Sequence, residues 1–336
     1  MTHELKSIFQ DYLLNKELGK RSVLATVVAL DGSSYRRPGV RMLIREDGKM
    51  TGAVSGGCVE KEVVRQAASV FADGSPKMMT YDGRYRLGCE GVLYILIEAF
   101  EPSMKLVKTF KDTILSRKNF TLKSYFKNEF GNHKGLGTVF NLNGNTFELQ
   151  EGRELDQDNK VFEQELKPCF KLVIIGGEHD AVRLSQLALN MGWEVTVSTV
   201  PNEDKTIEDF PGIIELWNVE PSELPVNMID SETALVLMTH SYVKDLKYLL
   251  ALKDTKPAYF GLLGPSKRRE KLFGEFMELY PEVEIGFFER IHGPAGLNIG
   301  AETPEEIAVA ILSEILAVVR EQEPMSLKDK TTGIHH

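Results

Sequence analysis

Cysteine is scarce in this sequence: Cys58, Cys89 and Cys169 are the only three in 336 residues. An odd, widely spaced set without a CxxC pair excludes a disulfide framework and a zinc site of that kind. Positive charge is also short, with 40 Lys and Arg against 49 Asp and Glu, for a net charge of −9. A nucleic-acid partner is therefore not expected, because such partners are met by a basic face. No apolar run reaches the ~18 residues that span a bilayer, and residues 1–10 lack the apolar region of a signal peptide. The expectation is a cytoplasmic chain with free thiols and no membrane contact. What is present suits it: 42% of the residues are hydrophobic, enough for sizeable cores. The length suits two domains, or two plus an insert.

Leu5, Ile8, Phe9, Tyr12 and Leu13 recur at helical spacing and predict an opening helix that ends near Gly19. A strand rich in Val and Thr follows over 22–30, then a hairpin of 40–44 and 50–54 about Asp47-Gly48. Val59, Val63, Val64, Ala67, Ala68 and Phe71 make the stripe of a second helix, and strands are expected over 77–81 and 92–98. Residues 1–104 thus read as an α+β domain whose glycine-rich loops carry Cys58 and Cys89. A connecting, β-rich segment is expected over 105–168, with a helix at 105–116 and strands at 120–126, 137–142 and 146–149.

From Lys171 the pattern changes, and apolar strands ("KLVIIGG", "WEVTVSTV", "TALVLMTH", "AYFGLLG") alternate with helices. That alternation predicts βαβ units and a Rossmann-like, doubly wound parallel sheet over 169–322, leaving 323–336 as a frayed tail. Its closing helix carries Thr303 as N-cap, Pro304 at the first position and Glu306 three after the cap.

Ligands of open α/β sheets bind outside the carboxyl ends of the strands, and several features fall there. "IGGEHDA" offers Gly176 and Ala181 to a dinucleotide fingerprint but has Glu178 where a second glycine is wanted. A carboxylate at that point repels a pyrophosphate seated on the helix N-terminus, so NAD(P) or FAD is the lesser expectation. His179, His240 and His292 each follow an apolar stretch and would share one crevice if their strands are neighbours; singly, each is equally a structural or surface histidine. Ser266, Lys267 and Arg268 open a helix after a strand, which is either a phosphate seat or a solvated basic turn.

In the first domain, Arg36, Arg37 and Arg41 crowd the turn at Pro38-Gly39 and suit a phosphate, a carboxylate or a partner surface. Ser55, Gly56 and Gly57 form a flexible turn that places Cys58 at a helix start, where a thiol's pKa is lowered. Cys89 also sits among glycines, although Glu90 opposes thiolate there. For either cysteine the alternative is a small buried residue in a tight turn.

Together "GSSYRRPGVRMLI", "GAVSGGCVE", "VLMTH" with Asp245, "AYFGLLGPSKRR" and "RIHGPAGLNIGAETPEEIAVAILSEI" strongly resemble the XdhC/CoxI family, the accessory proteins of xanthine dehydrogenase and related molybdenum hydroxylases. The likeness spans about 23–100 and 171–320. It implies a chaperone that holds the molybdenum cofactor (molybdopterin) during sulfuration and passes it to a hydroxylase client. A cysteine desulfurase is an implied partner, and a homodimer the expected assembly. The sequence departs from the family pattern at Tyr35, Glu90, Glu178, Asp180, Ser241, Tyr242 and Asn298, so the cysteine loop is nearly intact and the nucleotide loop most altered.

Overall fold

The computed structural model describes residues 1–32, 36–85 and 91–331, with Cys58 and Tyr85 described by their backbone alone. Cys89 and Glu90 lie outside the described residues, as does Tyr35. The chain divides into two compact units, Met1–Pro168 and Cys169–His336.

The first unit runs α1 (Thr2–Glu17), β1 (Ser22–Asp31), β2 (Arg41–Arg45), β3 (Met50–Gly52), α2 (Cys58–Asp73), β4 (Lys77–Asp82) and β5 (Val92–Ala99). It continues through α3 (Met104–Leu115), β6 (Phe120–Phe126), β7 (Gly131–Asn132), β8 (Gly137–Leu142), β9 (Asn145–Glu148) and β10 (Lys160–Leu166). One sheet has the order β3-β2-β1-β5-β4-β7 and a second the order β10-β6-β8-β9. Strand alternation explains how β1 is buried on both faces. Val23, Ala25 and Val27 pack on Val59, Val63 and Ala67 of α2. Leu24 packs on Leu5, Ile8 and Phe9 of α1 together with Leu122 and Phe140 of the second sheet.

Polar groups also bridge the two sheets. The Glu98 carboxylate on β5 accepts hydrogen bonds from the Thr138 amide at 3.0 Å and hydroxyl at 2.5 Å. Arg41 is 4% exposed and donates to the Gly39 carbonyl at 2.8 Å and to Gln164 at 2.7 Å. The third arginine of the loop therefore faces inward and anchors the turn.

The second unit runs β11 (Lys171–Ile175), α4 (His179–Asn190), β12 (Glu194–Thr199), β13 (Glu215–Asn218), β14 (Thr233–Leu237) and α5 (Tyr242–Leu252). It closes with β15 (Tyr259–Leu262), α6 (Ser266–Leu279), α7 (Ile285–Glu289), β16 (Ile291–His292) and α8 (Pro304–Val319). The sheet order is β13-β12-β11-β14-β15-β16, with every neighbouring pair parallel. Counted from β11, that is the 3-2-1-4-5-6 order of a doubly wound sheet, with its switch point between β11 and β14. Leu172 and Ile174 face Ala181, Leu184 and Ile311 on α4 and α8, while Val173 and Ile175 face Leu249 and Leu272 on α5 and α6. The α8 cap forms as its sequence predicts, since Thr303 accepts from the Glu306 amide at 3.3 Å and Glu306 accepts from the Thr303 amide at 3.1 Å. Among the described residues no helix is long and apolar enough to cross a membrane.

Candidate functional site

The turn before α2 is held from below. Gly57 has φ +116°, a backbone region that favours glycine, and the space around its missing Cβ is open. Glu60, 6% exposed, accepts the amide hydrogens of Ser55 at 2.6 Å and Gly57 at 2.7 Å. Its negative charge suits the positive end of the helix. Because Glu60 occupies two amides of the turn, an incoming anion must find its positive charge elsewhere.

Arg36 is one source. Its guanidinium donates to the Ala53 carbonyl at 3.4 Å and lies 3.7 Å from the Glu4 carboxylate. Arg36 thus reaches the segment that leads into Ser55 and Gly56, and Arg37 next to it in the chain is exposed. The helix then opens at Cys58.

In the second unit the loops after β11 and β14 meet at the switch point. Gly176 has φ +124°, and a Cβ there would stand 2.5 Å from the Met238 carbonyl oxygen. Gly176→Ala is expected to cost about 2 kcal/mol, from the forbidden backbone region and the clash. Thermal unfolding of the variant would check this, and an unchanged midpoint would refute it. Glu178, by contrast, is exposed and has φ −78°, so this turn needs no glycine there.

His240 adopts a left-handed conformation, φ +55°, and its Nε2 lies 3.5 Å from Asp180 on α4. Such a conformation in a residue other than glycine persists only where neighbours impose it. Thr239 and Asp245 do so. The Thr239 hydroxyl donates to Asp245 at 2.6 Å and accepts the Ser241 amide at 3.2 Å, closing the turn around His240. Asp245 is 1% exposed and also accepts from Arg268 at 2.5 Å.

The predicted residues are thus partly assembled. His179, exposed at the start of α4, and His240 lie on the loops of adjacent strands. Ser266 and Lys267 are exposed at the start of α6, but Arg268 is committed to Asp245, and Arg269 donates to the Gly293 carbonyl. The expected convergence of three histidines is not what forms. His292 belongs to the edge strand β16, separated from β14 by β15, and its ring stacks on Tyr259 at 4.7 Å. Its Nδ1 is 3.6 Å from Glu314 on α8, so it serves the sheet face.

Sequence reasoning gave no role to Glu60, Asp180 or Thr239. Glu60 carried a usable signal, since it stands three residues after the N-cap, at capping-box spacing. Asp180 becomes visible only when β11 and β14 are known to be neighbours, whereas Thr239 acts locally, on Ser241 and Asp245.

A family model described as the XdhC and CoxI family matches residues 16–82, and one described as the XdhC Rossmann domain matches 172–315. A Bacillus subtilis protein named as a probable xanthine dehydrogenase subunit is 29% identical, over 88% of this chain and 93% of its own length. An Escherichia coli protein named molybdenum cofactor insertion chaperone PaoD is 25% identical, over 91% of this chain and 86% of its own. A Bacillus halodurans crystal structure, described as a xanthine dehydrogenase, has a TM-score of 0.75 at 24% identity, covering 95% of this chain and 97% of that one. This last likeness is one of fold. With both halves matched by models of one family, the chain belongs to the XdhC and CoxI family.

Proposed function

We propose that this protein is a molybdenum-cofactor accessory protein. In this reading it holds the cofactor, assists its sulfuration and delivers it to a xanthine dehydrogenase-type hydroxylase. The observation that carries the reading is Arg36 reaching the Ala53 carbonyl, just ahead of the Glu60-held turn that opens α2 at Cys58. Family membership and the name of the Escherichia coli relative support it.

The cargo is a pterin with a dithiolate, a molybdenum centre and a phosphate. Arg36 and Arg37 would take the phosphate, as planar donors suited to bidentate oxyanion contacts. Cys58 would offer a soft thiolate to a sulfur-rich centre, with Cys89 in support. Along the switch-point crevice, Gly176, His179, His240, Ser266 and Lys267 would supply hydrogen bonds, with Arg268 and Asp245 keeping the loops in place. A cysteine desulfurase would supply the sulfur, and a homodimer is the proposed assembly.

Anaerobic purification from cells making the cofactor tests this directly. Molybdenum and the fluorescence of the oxidised pterin are expected in stoichiometric amounts. Cys58→Ser should retain at least about tenfold less, equivalent to the loss of one good contact. Absence of both signals from the wild type, even with cofactor added, would remove the reading. The 3-2-1-4-5-6 order with Gly176 at the switch point favours one alternative, a nucleotide-dependent oxidoreductase. Titration with NAD(P)H and FAD separates the two, because Glu178 and the lack of an acid at the end of β12 predict no binding.

A further inference from the structure

A cavity of ≈ 200 Å³ lies away from the switch-point crevice, at the amino ends of β15 and β16. Pro257 and Ala258 precede β15, Arg290 precedes β16, and Val318 stands in the last turn of α8. Its lining includes Tyr259, Phe260 and Phe287, with His292 and Arg290 as the nitrogen donors.

The polar side of this cavity is built by a chain of contacts. Glu314 accepts the Tyr259 hydroxyl at 2.5 Å and the Gly296 amide at 2.8 Å through one oxygen. Its other oxygen is 3.6 Å from Nδ1 of His292. The carboxylate lies on the Nδ1 side of the imidazole, so Nε2 is the nitrogen turned away from it. Tyr259 covers one face of the ring at an interplanar angle of 22°. Gly261 makes room for this arrangement, since a Cβ there would stand 2.8 Å from the Tyr259 ring. Arg290 is exposed and uses its Nε on the Gly286 carbonyl at 3.1 Å, which leaves the outer fork of the guanidinium for an anion.

Size and chemistry then select the ligand. An empty apolar cavity of about 150 Å³ accepts benzene, and ligand pockets for larger molecules begin near 300 Å³. The space therefore suits one ring with a small substituent, and not a pterin or a dinucleotide. A carboxylate on the ring would add an ion pair with the guanidinium that an uncharged ring cannot make, and a bare inorganic anion would leave the apolar lining uncovered. We propose that this cavity is a binding site for a monocyclic aromatic carboxylate, with its ring against His292 and the apolar lining and its carboxylate on Arg290.

Titration of the full-length protein with benzoate, followed by the ring-proton resonances of His292 and by calorimetry, tests the site. Saturable binding in the millimolar range or tighter is expected, at least about tenfold stronger than that of benzyl alcohol or inorganic phosphate. Arg290→Ala, an exposed change that should not disturb folding, is expected to weaken benzoate binding at least about tenfold. Lys267→Ala, in the crevice, should leave it unchanged. The proposal is overturned if benzoate leaves the His292 resonances unmoved at about 20 mM, well above the affinity expected of so small a ligand. It is overturned equally if phosphate binds as tightly as benzoate, or if Arg290→Ala changes nothing. Cofactor retention is read separately, so failure here leaves the molybdenum reading standing, and the reverse.

Discussion

Asp245→Ala is expected to lower the stability of the second unit by about 3 kcal/mol, the low end for breaking a buried ion pair. The carboxylate is 1% exposed and has two partners, Thr239 and Arg268. Removing it leaves the Arg268 charge without its partner and frees the Thr239 hydroxyl. The low end applies because the Arg268 side chain is 28% exposed and can recover some water. Asp245→Asn should lose less, since an amide oxygen still accepts one of the two hydrogen bonds. Both tryptophans, Trp193 and Trp217, lie in the second unit, so their fluorescence in a urea titration reports this unit alone. A second readout follows from the geometry of the turn. With the Thr239 anchor gone, His240 should leave its left-handed conformation, moving its ring resonances and its pairing with Asp180. An unchanged urea midpoint in Asp245→Ala would mean that the buried pair contributes nothing to the crevice.

The parallel sheet was legible because its strands are short apolar runs separated by helices, a pattern with few other solutions. "KLVIIGG" and "TALVLMTH" read as strands from composition alone, and both form as β11 and β14. The α8 cap was legible for a similar reason, since Thr303, Pro304 and Glu306 carry their meaning within four residues. β10 was missed because "KVFEQEL" alternates charge with apolar residues and buries only Gln164 and Leu166. β16 was missed because two residues carry no periodicity.

The site was legible to the extent that it is local. The Ser55–Cys58 turn, the glycine at 176 and the helix start at Ser266 all appear in single short motifs. Contacts between distant segments did not show in this way. Asp180 meets His240 across 60 positions, and Arg268 meets Asp245 across 23. The sequence offered Arg268 to a phosphate or to solvent because its acidic partner, Asp245, lies in another helix. His292 was grouped with the other histidines since the apolar run before it, "IGFFE", reads like a strand but forms the short helix α7 ahead of the edge strand β16.

The first unit carries a further expectation that the sequence could not supply, and it concerns pH. Burial pushes the Glu98 carboxyl up from 4.5 to about 7, even though hydrogen bonds from Thr138 and the charges of Arg153 and Arg41 pull the other way. Desolvation wins because the group is fully enclosed between two sheets. Arg41 is affected in the matching sense: burial lowers it from 12.5 to about 10, so it stays charged throughout the neutral range. Below pH 4.5 Glu98 holds its proton in both the folded and the unfolded chain. Between 4.5 and about 7 the folded chain keeps a proton that the unfolded chain has released, so stability falls as pH rises through this window. Above it the loss is complete and amounts to about 3 kcal/mol, at ~1.4 kcal/mol for each pH unit.

Glu98→Gln removes the ionisation while keeping the shape. Its amide oxygen can accept the Thr138 amide hydrogen, and its nitrogen can donate to the Thr138 hydroxyl, which then turns toward Ser124 at 2.8 Å. The variant should match the wild type near pH 5 and exceed it by up to about 3 kcal/mol near pH 8. Urea titrations followed by circular dichroism at several pH values would measure the difference, with tryptophan fluorescence identifying the transition of the second unit. A stability difference that stays constant from about pH 5 to 8, or that favours the wild type at the alkaline end, would show that Glu98 ionises in the folded chain without cost. Arg153, and Arg41 two strands away in the same sheet, would then be the charges that keep this carboxylate ionised.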